Sequence, residues 1–272
     1  MSSLESSADV RTPDLSLVMP CYNEEDAVAY TVHRLLGAFE RVGYRLELVT
    51  LDNGSSDGTG RVLRELAGRS TGVVFHRVEK NEGYGHGVLS GIRHCTAPWI
   101  GMIPADGQVD AEDVVRLYEM AVLSRENVVA KVRRRFRMDG PTRKVISFGY
   151  NVFVRLLWPG LVWDVNAVPK ILPRHLIAAM KLSSRGWALE PEIMIKAHYM
   201  GVRVVELNIL SRERCSGSSK VRTDAMLELI RSLIGFRFSP QLRQLRAEWK
   251  DRLPAHDQIA SGPLALTEQP RV

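Results

Sequence analysis

Cysteine is scarce in this 272-residue chain: Cys21, Cys95 and Cys215 are far apart and odd in number. Their spacing matches neither a zinc-binding pair nor a disulfide framework, and a reducing compartment is the simplest setting for them. The seven histidines are scattered, without an H-x-x-H or H-E-x-x-H arrangement, which argues against transition-metal chemistry. Long apolar runs are missing too. A helix needs roughly 20 apolar residues to cross a bilayer. The nearest stretch, Val152 to Trp163, is interrupted by Arg155 and by Pro159-Gly160. Residues 1–13 are polar and Ser-rich, without the apolar segment of a secretory signal. The expectation is a cytoplasmic protein, soluble or peripheral on the cytoplasmic face of a membrane. There is no internal repeat and no long low-complexity tract.

What is present is ordinary for a chain that buries a core: 45% apolar residues and a net charge of +6. That charge suits anionic partners such as nucleotides or phospholipids and selects none of them. Residues 1–14 and 251–272 read as flexible tails. Between them, short apolar runs at Leu15–Met19, Leu46–Leu51, Val73–Val78, Trp99–Ile103 and Asn127–Val132 alternate with helical patterns. The clearest helix covers 25–42, with Asn23 as its expected N-cap and Glu24, Glu25 and Asp26 at its positive end. Others are expected over 57–68, after the glycines at 83–87, and from Asp110. This order predicts an α/β fold: an open, mostly parallel sheet flanked by helices, with ligands beyond the carboxyl ends of the strands.

The segments at those ends are polar. Pro20-Cys21-Tyr22-Asn23-Glu24 follows the first run, where free helix N–H groups can receive a phosphate or a base. Tyr22 suits stacking on a nucleobase and Glu24 suits accepting from it, although a simple capped turn is equally compatible. Asp52 follows the second run, where an acid can hold ribose hydroxyls or a base edge. Its neighbours Ser55, Ser56, Asp57 and Thr59 read as turn and cap chemistry. Asn81-Glu82-Gly83-Tyr84-Gly85-His86-Gly87 is either a close backbone approach to a ligand or a tight turn. Asp106 and Gln108, two apart, would project from one side of an extended chain. Both are hard oxygen ligands suited to Mg²⁺ or Mn²⁺ on a diphosphate; an Asp-Gly turn is the alternative. Arg214 and Lys220 flank Gly217 and several serines, which makes either a diphosphate clamp or a solvated basic loop.

Together these segments resemble glycosyltransferase family 2. The pattern is P-x-Y-N-E at Pro20 to Glu24, D-x-x-S-x-D-x-T at Asp52 to Thr59, N-x-G at Asn81 to Gly83, and a D-x-D-like segment at Ala105 to Gln108. The later R-x-x-G-x-S-K, from Arg214 to Lys220, is similar to the dolichol-phosphate mannosyltransferase-like (polyprenyl-phosphate glycosyltransferase) subgroup, as are Asp164-Val165-Asn166 and Glu190-Pro191-Glu192. The resemblance covers residues 15–222 and implies a GT-A fold there; residues 223–250 are expected to form an amphipathic helical segment. It implies an inverting transfer from a nucleotide-sugar to a lipid phosphate or small-molecule acceptor, with Mg²⁺ or Mn²⁺ on Asp106 and Gln108. Pro20, Tyr22, Glu24, Asp52, Asn81, Ala105, Asp106, Arg133, Arg214 and Lys220 would hold the donor. Arg143 and Ser147 would meet the acceptor phosphate.

Pro104 stands where the family's motif has its first acid, which leaves one carboxylate. Asp106, Arg214 and Asp164 are the catalytic candidates. A lipid phosphate is already anionic, whereas a hydroxyl acceptor would need a base from Asp164, Glu190 or Glu192. Asp164 reads equally well as the partner of an arginine. Phe148 to Trp163 and Met226 to Phe238 are candidates for a membrane-interface contact, with a plain core helix as the alternative for the first. A nucleotidyltransferase fits poorly, since the first loop lacks the glycine-rich basic pattern. A binding subunit without catalysis is the other alternative, favoured by Pro104. The arginines at 133–137 have no recognition helix or aromatic platform beside them, so nucleic acid is not an expected partner.

Overall fold

The computed structural model describes residues 12–124, 127–137, 141–211 and 223–250. In chain order the elements are β1 (Leu15–Cys21), α1 (Val28–Arg41), β2 (Leu46–Asn53), α2 (Thr59–Arg69), β3 (Val73–Val78) and α3 (Tyr84–Ile92). Then follow β4 (Trp99–Met102), α4 (Ala111–Leu123), β5 (Val128–Arg137), α5 (Pro141–Leu157), β6 (Lys170–Pro173) and α6 (Arg174–Met180). The chain continues through α7 (Leu189–Tyr199), β7 (Arg203–Ser211), α8 (Thr223–Arg237) and α9 (Pro240–Lys250).

The strands form one seven-stranded sheet in the order β3-β2-β1-β4-β6-β5-β7. Only β6 runs against its neighbours. The others are parallel, so their carboxyl ends and the start of β6 share one edge. Strand β1 is apolar along both faces because helices cover both sides of the sheet. One face packs Val28, Val32, Leu35 and Phe39 of α1 with Val114 and Leu117 of α4. The other packs Val88 of α3, Val154 of α5, Ile193 of α7 and Leu229 and Leu233 of α8. Side chains of this size each stabilise the fold by about 2 kcal/mol when removed from water.

The expected strands and helices are present, with local differences. Helix α3 begins at Tyr84, inside the glycine run and not after it. Helix α1 begins at Val28, and Asn23 does not cap it. Asn23 lies at φ 51°, a left-handed position that asparagine tolerates, and its side chain turns to the neighbouring loop. Helix α2 begins two residues later than expected, because Asp57 Oδ1 accepts from both the N–H and the hydroxyl of Thr59 and holds a turn there. The expected tails, 1–14 and 251–272, fall outside the described residues except for 12–14.

Candidate active site

The first two loops at the carboxyl edge are laced to each other by side chains. Ser55 Oγ accepts from Asn23 N (3.1 Å), and Thr59 Oγ1 accepts from Glu24 N (2.8 Å). In return, Asn23 Oδ1 accepts from Ser56 N (2.9 Å), and Glu25 Oε2 accepts from Gly58 N (2.7 Å). Ser55, Ser56 and Thr59 therefore do more than shape their own turn. They fix the backbone that carries Tyr22 and Glu24 over the end of β1. Tyr22 is 37% exposed.

Asp52 and Asn53 end β2 and are both buried. Asp52 Oδ1 accepts from Ser55 N (2.9 Å). Its Oδ2 lies 3.2 Å from the Arg77 guanidinium without the alignment of a hydrogen bond, so that buried oxygen has no hydrogen-bond partner. Asn53 donates from Nδ2 to Gly83 O (3.1 Å) and Asn81 Oδ1 (3.3 Å), and its buried Oδ1 is likewise without a partner. Asn81 thus acts on β2 as well as on its own turn. The glycines after it are set by packing. A Cβ on Gly83 would lie 2.7 Å from Arg185 O, one on Gly85 would collide with Ser184 O, and one on Gly87 would press on Pro20 and Asn53. The glycine run is a docking seam for the 184–186 backbone as well as a turn.

Ala105 and Asp106 follow β4 and are almost fully buried. Thr31 Oγ1 donates to Ala105 O (3.0 Å) and anchors the segment to α1. The chain is not extended here, contrary to the expectation: Gly107 has φ 68°, and Gln108 N donates to Asp106 Oδ1 (3.2 Å). The segment is therefore an Asp-Gly turn, closed by the Gln108 N–H on the Asp106 carboxylate. Asp110 occupies the N-cap position of α4 without a side-chain cap bond, because Arg34 draws its carboxylate away (2.8 Å).

A divalent cation fits this donor set. Among the described residues no group of three or more His, Cys, Asp and Glu side chains could hold a metal. One carboxylate and one amide oxygen two residues apart in sequence suit Mg²⁺ or Mn²⁺ if substrate phosphates and water complete the shell. Asp106 and Gln108 are the residues that would hold it.

The other half of the edge carries buried charge. Lys131, on β5, donates to Glu206 Oε1 (2.7 Å) and Trp163 O (3.0 Å). Lys170, at the start of β6, pairs with Glu190, which also accepts from Tyr84 OH (2.8 Å). Glu192 accepts from Lys196 (2.6 Å) and from the N–H groups of Ser183 and Ser184. Burial lowers the pKa of Lys131 and of Lys170 further than their carboxylate partners raise it. Asp164, at φ 51°, receives a two-pronged contact from Arg134: Nη2 to Oδ1 at 2.6 Å and Nε to Oδ2 at 3.0 Å. Burial alone would raise this carboxyl, but Arg134 and the Lys131 charge outweigh it and hold the pKa at about 2.

Asp164 is thus an arginine partner in this structure, one of the two roles open to it from sequence. Its N–H donates to Asn151 Oδ1 (2.8 Å), and Asn151 donates to Ser147 O (2.8 Å), which ties the expected acceptor residue Ser147 to the same edge. Arg133 is nearly half exposed, 3.7 Å from Glu206. Arg143 lies on the first turn of α5, and its side chain is outside the described residues, as are Arg214 and Lys220 entirely. Strand β7 ends at this same edge.

Sequence reading missed Asn53, Lys131, Lys170 and Arg134. A lysine inside an otherwise apolar strand run was the available signal for Lys131.

A family model described as glycosyl transferase family 2 matches residues 16–177. The chain is 26% identical over 222 residues to the undecaprenyl-phosphate 4-deoxy-4-formamido-L-arabinose transferase of Pectobacterium carotovorum subsp. carotovorum (strain PC1), covering 81% of this chain and 66% of that protein. It is 29% identical over 232 residues to the protein of the same name from Klebsiella pneumoniae (strain 342), covering 85% and 69%. The chain therefore spans about two thirds of the length of these relatives. Among solved structures, glucosyl-3-phosphoglycerate synthase from Mycobacterium tuberculosis in complex with Mn²⁺, uridine diphosphate and phosphoglyceric acid superposes with a TM-score of 0.62 at 19% identity, covering 83% and 78%. A mycobacterial protein superposes at 0.65 with 18% identity, covering 83% and 74%. At such identities the likeness establishes a shared fold.

Proposed function

Because the chain belongs to glycosyl transferase family 2 and has the GT-A fold, we propose that it transfers a glycosyl group from a nucleotide-sugar to a polyprenyl phosphate. Pro20, Tyr22, Glu24, Asp52 and Asn81 frame the nucleoside. Ala105, Asp106 and Arg133, with Arg214 and Lys220, serve the diphosphate and sugar. Arg143 and Ser147 receive the acceptor phosphate. Asp106 and Gln108 would hold the divalent cation, which would supply positive charge against the leaving diphosphate.

The observation that carries the acceptor class is the fate of the carboxylates. A hydroxyl acceptor needs a base, and Asp164, Glu190 and Glu192 are each held in an ion pair, Asp164 with its pKa at about 2. A carboxylate so acidic takes a proton poorly at neutral pH. A phosphate acceptor needs no base. Its oxygen bonds to the anomeric carbon from the face opposite the diphosphate. The bond from that carbon to the diphosphate oxygen breaks, its electron pair leaves with the diphosphate, and the configuration inverts. No proton moves. The names of the undecaprenyl-phosphate relatives support the same acceptor.

A lipid acceptor requires contact with a membrane surface. Among the described residues no helix is long and apolar enough to cross a membrane. Helix α5 buries Tyr150 and Val154 and exposes Ile146, Phe148 and Leu156; α8 beside it exposes Leu227 and Ile234, and Phe238 just after its end is exposed too. Trp158 is core, not interface. Arg155 lies over Trp163 at 4.9 Å, and Arg237 ties α8 to Leu157 O (3.0 Å). An apolar rim with arginines beside it suits the headgroup boundary of anionic lipid. The peripheral contact we propose is this α5–α8 rim.

The test is transfer of labelled sugar from UDP-, GDP- and dTDP-sugars, with and without Mn²⁺, to undecaprenyl phosphate in detergent. Metal-dependent product with at least one donor is expected. Transfer only to soluble hydroxyl compounds would overturn the acceptor assignment, and no transfer from any donor would overturn the reading as a whole.

A further inference from the structure

Tyr84 and Trp187 stack with their rings 4° from parallel and their centroids 5.2 Å apart. Trp187 nonetheless remains 37% exposed, so only part of its ring is covered. Beside it lies a cavity of about 90 Å³, walled by Ser184, Arg185 and Trp187 from the α6–α7 loop and by Glu228 and Ser232 from α8.

Tyr84 places this cavity near the first loops of the carboxyl edge. It follows Gly83 and opens α3, and Gly87 in the first turn of the same helix abuts Pro20 and Asn53. The wall is held in place as well. Glu192 accepts from Ser184 N (2.8 Å), Arg185 O accepts from His86 N (2.7 Å), and Arg185 pairs with Glu82 across the seam (2.6 Å).

An aromatic face flanked by hydroxyls, a carboxylate and a guanidinium is the chemistry that recognises a sugar. Ring C–H groups pack on the aromatic face, and the hydroxyls bond to the charged groups. The size agrees, since ligand pockets for whole drug-sized molecules run from about 300 Å³ upward, and this cavity admits one face of a single ring. Glu228 disfavours a phosphate there by like charge.

We propose that this cavity is the subsite for the transferred glycosyl group, with Trp187 as its stacking platform and Glu228 accepting from its hydroxyls. The inference rests on the nucleotide-sugar reading above.

Calorimetric titration separates the two. UDP, GDP and dTDP are compared with UDP-glucose, GDP-mannose and dTDP-glucose on the wild-type chain, and the tightest sugar nucleotide becomes the probe. Trp187→Ala should weaken that sugar nucleotide by about tenfold while binding of its bare diphosphate is unchanged, and Trp187→Phe should restore most of the loss. Glu228 is exposed on α8, so Glu228→Gln tests the same subsite without a folding risk; a loss of about fivefold for the sugar nucleotide alone is expected. Variants that bind both ligands as the wild type does, or lose both equally, would overturn the subsite and leave the nucleotide-sugar reading standing. A wild-type chain that binds neither class of ligand would overturn both.

Discussion

Lys131 and Lys170 are backbone partners across the β5–β6 pair, and both side chains are fully buried. Two ammonium groups are tolerated there because each has its own carboxylate, Glu206 for Lys131 and Glu190 for Lys170. Glu190 also accepts from Tyr84, so the pairing reaches from β6 through α7 to the glycine seam of the donor half. Lys170→Met should leave Glu190 charged and unpaired in the interior and destabilise the fold by about 3–5 kcal/mol. Replacing Glu190 by Leu in the same chain should recover most of that loss. Urea unfolding midpoints of the two variants check both outcomes.

Asp164 gives a pH dependence of known sign. Its carboxyl is held at about 2 in the fold, against 3.8 as the ordinary value. The unfolded chain therefore takes up this proton first as pH falls. The stabilisation is complete above about pH 4 and is lost on acidification towards pH 2, at about 2 kcal/mol in total. Stability measured from pH 5 to pH 2 should fall less steeply in Asp164→Asn than in the wild type. Parallel curves would show that the Arg134 contact contributes nothing in solution.

Gly85 has no room for a side chain, since its Cβ would meet Ser184 O and would lie 2.7 Å from Gly186 O. Both are backbone atoms: Glu192 holds the segment at the Ser183 and Ser184 N–H groups, and Gly186 O accepts from Leu189 N, so neither can yield cheaply. Gly85→Ala should lower stability by about 1–3 kcal/mol and loosen the seam between α3 and the 184–186 segment. Gly68, by contrast, faces open space. Gly68→Ala should be neutral or slightly stabilising, which calorimetric melting of the pair would reveal.

Asp106→Ala should reduce transfer by about two to three orders of magnitude in kcat, since it removes the one acidic side chain available to the cation and the diphosphate charge. Its circular dichroism and melting should stay close to wild type. Turnover that survives this change and still responds to Mn²⁺ as the wild type does would remove Asp106 from the site.

Phe148 and Phe238 are 63% and 68% exposed on the α5–α8 rim. Phe148→Glu with Phe238→Glu should abolish flotation with anionic vesicles while melting stays nearly unchanged, because exposed substitutions usually alter stability by about 0.5 kcal/mol or less. Flotation equal to wild type would place the membrane contact elsewhere.

The amino-acid sequence alone determined the alternation of strands and helices, the sheet edge that collects the polar turns, and the residues Tyr22, Asp52 and Asp106 at that edge. These are local properties: apolar periodicity, turn chemistry and motif spacing are legible along the chain. Tertiary structure decided which of the polar groups bond to one another. The lacing of Ser55, Ser56 and Thr59 to the first loop joins residues more than thirty positions apart, and Tyr84 reaches Glu190 across 106. Local propensity cannot anticipate such pairs, because a serine that closes its own turn and one that clasps another loop carry the same side chain. The fold also settled Asp164 as a partner of Arg134 and set the glycines against the 184–186 backbone. In each case burial removed water as the competing partner and left a distant group as the only means of satisfying the charge or filling the space.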